Sequence, residues 1–223
     1  MRRNFPGQTA AVLHLALFCT AGALALEPQS FSADIVSLDA GGASRGAAAK
    51  LHVANHKTRI EMAGAADGFF LSDTDAGTAL FVRTAQRLYL DARQSTLLTR
   101  IFVPVDPRDP CRQWQAAAAT AGVSGTGEWH CELVERAGVD HHDIIEYRVL
   151  THDGQANHGW IDATIDYPVK WQAADGTGFA LENISLEVQP ASLFSIPPDY
   201  RKLDPPALLE RIKHSDVWAE PSK

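Results

Sequence analysis

Across residues 31–91 apolar and polar positions alternate in short runs broken by Gly, Asp and Asn. This period of two is the signature of consecutive antiparallel strands. The runs fall at 31–38, 50–54, 58–63, 69–72, 79–83 and 87–91, with Asp39-Ala40-Gly41-Gly42 and Asn55-His56 as the first turns. The period then changes. Leu97, Leu98, Ile101 and Phe102 lie at helical spacing before Pro104, which predicts a short amphipathic helix over 94–102. A second helix is signalled by Asp109 as a cap, Pro110 in the first turn, the alanines 116–119 and Gly122 as the stop. Alternation returns at 129–135, 143–151, 160–165, 169–173 and 179–188, with Asp153-Gly154 and Asp175-Gly176 as hairpin turns. Pro205-Pro206 opens a terminal helix near 205–214, whose Leu208, Leu209 and Ile212 form an apolar stripe.

About ten strands with two or three helices predict an α+β protein, a strongly curved antiparallel sheet (half-open β-barrel) with helices covering the concave face. Alternation assigns Ile60, Met62, Leu80, Val82, Leu88, Leu90, Ile145, Tyr147, Trp160 and Trp171 to that face. So few helices cannot cover so much apolar surface, and the expectation is a ligand cavity lined by these residues.

Composition bounds the class: 45% hydrophobic and 21% charged residues are globular values and exclude a disordered or fibrous chain. Arg2 and Arg3, the apolar run 10–24 and Ala23-Leu24-Ala25 read as a secretory signal over 1–25, cleaved after Ala25, which leaves 26–223 as one domain. The apolar run is shorter than the roughly 20 residues of a membrane span and meets Glu27 and Pro28. Cys19 follows Leu17 and Phe18 rather than a small residue, which argues against a lipid anchor. Export makes a disulfide between Cys111 and Cys131 the expectation, ahead of metal binding or thiol catalysis. The net charge of −7, with no stripe of Lys or Arg, argues against nucleic acid and against a stable membrane association.

The candidate reactive groups each have a plainer reading. Gly42-Ala43-Ser44-Arg45-Gly46 has the spacing of a nucleophile elbow, yet it lies between two predicted strands, where small residues are turn chemistry. Asp140-His141-His142-Asp143 offers metal-ligand types, but neighbours in a strand point to opposite faces, so a turn suits them better. His130, His152 and His158 are scattered, and Trp114, Trp160 and Trp171 fit core positions. No nucleophile, base and orienting acid can be assembled, so neither an enzyme nor a metal or other cofactor is expected.

The segment Trp160-Ile161-Asp162-Ala163-Thr164-Ile165-Asp166-Tyr167-Pro168-Val169-Lys170-Trp171, followed by Asp175-Gly176, Leu181-Glu182-Asn183-Ile184 and Ser192-Leu193-Phe194-Ser195-Ile196-Pro197-Pro198-Asp199-Tyr200-Arg201-Lys202-Leu203, resembles the C-terminal half of LolA-like periplasmic proteins. Phe31-Ser32-Ala33-Asp34, Lys57-Thr58-Arg59-Ile60-Glu61 and Leu88-Tyr89-Leu90 resemble the upstream strands of that family, the outer-membrane lipoprotein-sorting carriers and their uncharacterised relatives. The resemblance spans 31–203 and implies a half-barrel closed by helices over an apolar cavity. Its functional implication is a periplasmic, non-enzymatic carrier or chaperone of outer-membrane biogenesis that holds an acyl chain, lipid or lipidated protein. The alternative is an envelope sensor or assembly partner that docks another envelope protein, and a hydrolase ranks last. Arg59 is the nearest match to an arginine that helps the carriers hold acyl chains, but alternation sets it opposite Ile60 and Met62, facing water. The cysteine pair and Asp109-Pro110-Cys111 resemble the uncharacterised relatives more than the carriers.

Overall fold

The computed structural model describes residues 30–63, 68–92, 101–120 and 127–204. The signal segment 1–25, most of the helix expected over 94–102 and the terminal helix near 205–214 lie outside these residues. The first six strands are β1 (Ser30–Leu38), β2 (Ser44–Ala54), β3 (Lys57–Met62), β4 (Gly68–Asp73), β5 (Thr78–Arg83) and β6 (Leu88–Asp91). Helix α1 (Pro110–Thr120) follows, then β7 (His130–Val139), β8 (His142–Leu150), β9 (Ala156–Asp162), β10 (Tyr167–Gln172) and β11 (Gly178–Ser185). A 3-10 turn (Ala191–Phe194) and β12 (Arg201–Lys202) complete the described chain.

All twelve strands join one open sheet in the order β12-β6-β5-β4-β3-β2-β1-β11-β10-β9-β8-β7. Two antiparallel meanders meet at its centre, where β11 pairs β1 with Leu181 opposite Ile35, and β12 alone pairs its neighbour in parallel. Turn chemistry drives this local order. Asn55 and His56 (φ +49° and +61°) and Asp140 and His141 (+46° and +71°) form two-residue turns in the left-handed region, whose twist matches that of the flanking strands. The expected open antiparallel sheet is therefore present. Its cover among the described residues is α1 with the non-helical segment 102–109, rather than a layer of helices.

The face beneath this segment carries the main core, in which Phe31, Ala33, Ile35, Leu51, Val53 and Ile60 pack with Phe102 and Tyr167. A buried polar knot ties the layers together. Thr58 Oγ1 donates to the Phe102 carbonyl at 3.1 Å and meets the Tyr167 hydroxyl at 2.8 Å, and that hydroxyl also donates to Phe102. Burial pushes the Tyr167 phenol well above its ordinary pKa, so it stays a donor. Tyr167→Phe is expected to lower stability by about 1–2 kcal/mol, because Thr58 and Phe102 stay buried with one partner fewer. Urea unfolding measures this, and an unchanged midpoint would show the knot to be dispensable.

The opposite face is crossed by the return segment 186–204. The Ser30 hydroxyl donates to the Glu187 carbonyl and accepts from Gln189 N, His52 meets the Gln189 side chain at 2.8 Å, and Phe194 packs with Ala54, Phe69, Leu71 and Val82. Arg59 does not face water as alternation alone suggested. It lies under this segment with 16% of its side chain exposed, its guanidinium 3.4 Å from the Phe69 ring centroid, donating to Glu61 and to the Leu193 carbonyl.

Registry also divides the residues assigned to the concave face. Ile60 stands opposite Phe70, Phe70 opposite Phe81 and Phe81 opposite Leu90, so Ile60, Met62, Leu88 and Leu90 share the helix-bearing face. Leu80 and Val82 stand opposite Leu71 and Phe69, on the face of Arg59. Trp160 likewise stands opposite Glu146 and Lys170, with the Lys170 ammonium 4.2 Å from its ring centroid, while Gly159 beside it faces Trp114.

Candidate functional site

Helix α1 forms as its alanines and first-turn proline predict, and three sets of contacts fix it over the sheet. Cys111 is disulfide-bonded to Cys131 of β7, the expected pair, with Cα atoms 5.6 Å apart. Gln113 donates to the Pro104 carbonyl at 3.1 Å and accepts from Asp106 N at 2.8 Å. Gln115 donates to the Gly127 carbonyl at 2.9 Å and accepts from Trp129 N. Trp114 then lies directly on the sheet, edge-on to Tyr147 and Trp171 at centroid distances of 6.2 and 5.4 Å. It rests on Gly159, where an added Cβ would come within 2.5 Å of its ring.

Between α1 and strands β9 to β11 is a cavity of about 460 Å³, within the ~300–1,000 Å³ range of small-molecule sites. Trp114, Ala117 and Ala118 form its roof, Pro168, Trp171 and Phe179 its floor, and Trp129 and Ile101 close the sides. The Trp129 and Trp171 rings stack at 6.4 Å, and Phe179 packs on Phe102 at 4.9 Å, so the apolar lining is held by its own ring contacts. The loop between β8 and β9 supplies a polar rim of Thr151, His152, Asp153 and Gln155. The Thr151 hydroxyl, donated to Asp153, holds that carboxyl below the usual range, and the rim carries a negative charge at neutral pH.

Of the ten residues assigned by alternation, Trp171 lines this cavity. Ile145 and Tyr147 line a second, more open cleft of about 940 Å³ beside Pro104, Asp106, Arg108 and Arg136, where the Tyr147 hydroxyl donates to the Pro107 carbonyl. Ile60, Met62, Leu88 and Leu90 belong to the other half of the sheet, and Leu80, Val82 and Trp160 to its other face. Trp114, Trp129 and Phe179 join the cavity without having been singled out for it. A usable signal was present for Phe179, since the Asp175-Gly176 turn sets the register that puts Trp171 opposite it.

The polar motifs resolve into local structure. Asp140 and His141 make the turn, His142 bonds to the buried Asp162, and Asp143 pairs with Arg136, so the four consecutive residues do not converge on one point. Ser44 opens β2, exposed, and its hydroxyl accepts from Gly46 N. Among the described residues no helix is long and apolar enough to cross a membrane.

No protein-family model and no curated protein matches the sequence. Several solved structures are similar in fold. PNGF-II matches at 7% identity and a TM-score of 0.46, over 83% of this chain and 33% of its own. MucB, solved alone and in complex with MucA(peri), matches in the first form at 13% identity and a TM-score of 0.43, over 77% of this chain and 58% of its own. This chain thus spans a third of PNGF-II and just over half of MucB. The LolA superfamily protein NE2245 from Nitrosomonas europaea matches at 13% identity and a TM-score of 0.31, over 76% of this chain and 90% of its own. These are distant likenesses of fold alone, each with a TM-score below 0.5.

Proposed function

We propose that this chain is an exported, non-enzymatic binding protein of the periplasm that holds an acyl chain, free or as part of a lipid or lipidated protein, in the cavity under α1. The observation that carries the reading is the cavity itself, walled by Trp114, Trp129, Trp171 and Phe179 beneath a helix tied down by a disulfide. Transfer of apolar surface supplies the driving force. About ten methylenes at ~0.8 kcal/mol each would release roughly 8 kcal/mol before ordering costs, so capture needs no reactive group. The signal segment and the disulfide both suit an oxidising compartment, and carriage of lipid between membranes is the role this would serve.

One observation favours a second reading, docking of another envelope protein. The edge strand β7 exposes Leu133, Val134 and Val139 at 56%, 50% and 53%, beside a backbone edge that has no strand partner among the described residues.

Ala118→Glu separates the two readings. The residue is half-buried in the cavity roof, where a charge opposes an acyl chain without crowding the core. Wild-type protein is expected to bind a fluorescent fatty acid saturably at micromolar concentration, and the variant at least tenfold more weakly with its urea midpoint unchanged. Equal binding by both proteins would remove the cavity as the site, and no binding by either would leave the docking reading.

A further inference from the structure

Asn157 of β9 lines the cavity and is 7% exposed, yet its carboxamide has no hydrogen-bond partner among the described residues. Its polar neighbours are satisfied. Gln115 bonds to Gly127 and Trp129, and the Thr151 hydroxyl serves Asp153 and the Gln155 carbonyl. Buried polar side chains are almost always paired, and a leucine would fill the same space without an orphaned amide. An amide left open toward an apolar cavity therefore calls for a partner that arrives with the ligand.

The position of Asn157 says which part of the ligand it meets. It lies one residue pair inside the rim loop, where Leu150 stands opposite Ala156 and Val149 opposite Asn157. A chain running along Trp171 and Phe179 would bring its head to this point. An uncharged head suits this point better than an anionic one. Asp153 makes the rim negative, and Lys170, the lysine of the same lining, holds its ammonium over Trp160. A carboxylate would meet like charge and offer no donor, whereas a carboxamide offers the donor and the acceptor that complement an asparagine side chain. We infer that Asn157 is a specificity-determining residue that reads a neutral amide at the head of the acyl chain, in preference to a free acid or an ester. The inference rests on the acyl-binding reading above.

Competition at neutral pH tests it, with decanamide, methyl decanoate and decanoate each displacing the fluorescent fatty acid. Wild-type protein should prefer decanamide about tenfold over the ester, the expected effect of satisfying one buried polar group. Asn157→Leu should reduce that preference below twofold while its urea midpoint stays level or rises, since an unpaired polar group is lost. Asn157→Asp keeps the side-chain shape and an acceptor for the amide N–H but offers no N–H to an ester carbonyl, so it should keep the preference for decanamide. Equal displacement by amide and ester in the wild type, or a preference that survives in Asn157→Leu, overturns the inference while the reporter's own binding upholds the acyl-binding reading. Failure of the reporter to bind at all would overturn both.

Discussion

Replacing both Cys111 and Cys131 with serine is expected to lower the unfolding free energy by about 3 kcal/mol, the chain-entropy value for a short closed loop. The bond joins residues 20 positions apart and ties the first turn of α1 to β7 at the edge of the sheet. Urea unfolding of the variant, and of wild-type protein in dithiothreitol, should show matching losses. Because Trp114 and the cavity roof ride on the same helix, affinity for the fluorescent fatty acid should fall in parallel. The Gln113 and Gln115 contacts remain in both cases. A variant with wild-type stability and wild-type affinity would show that those glutamines alone hold the roof.

Gly159→Val is expected to destabilise by about 2 kcal/mol through overpacking, and to displace Trp114 from the sheet. Gly159 stands opposite both Tyr147 and Trp171, and its missing side chain is what lets the Trp114 ring lie 2.5 Å from the place where a Cβ would be. Its φ does not call for glycine, so the effect reports the ring contact and not backbone strain. Near-ultraviolet circular dichroism should change with the loss of the edge-on contacts of Trp114 with Tyr147 and Trp171, and fatty-acid affinity should weaken. A valine variant with native dichroism and an unchanged urea midpoint would place Trp114 elsewhere.

Local features were legible in the sequence. Helix α1, the turns at Asn55-His56, Asp153-Gly154 and Asp175-Gly176, and the cysteine pair stand where residue chemistry put them, because each depends on contacts within a few residues or on the redox setting. Strand limits were less legible where alternation fades. β7 runs on to Val139 although alternation marks only 129–135, because an edge strand exposed along most of its length shows no apolar face. β9 begins at Ala156 instead of residue 160, since His158 turns outward to Glu146 and Gly159 is small to admit Trp114.

Face assignment failed at Leu80 and Val82 for a different reason. In β5, Ala79, Leu80, Phe81 and Val82 are all apolar, so period two cannot say which pair faces the helix, and the register with β4 decides it. The surroundings of Arg59 depend on Leu193, 134 positions away, on a segment whose path over the sheet leaves no local mark. The cavity is a similar case. Its rings come from α1, the approach to β7, β10 and β11, and they meet because α1 is seated between them.

The most direct test of the acyl-binding account uses the cavity tryptophans as the detector. Trp114, Trp129 and Trp171 line the site, whereas Trp160 lies on the other face. Titration with a fatty acid brominated along its chain should quench intrinsic fluorescence saturably at micromolar concentration with one ligand per chain, and Trp129→Phe should remove part of that quenching while Trp160→Phe leaves it in place. Quenching that fails to saturate, or that is lost with Trp160 and not with Trp129, would contradict an acyl chain in this cavity.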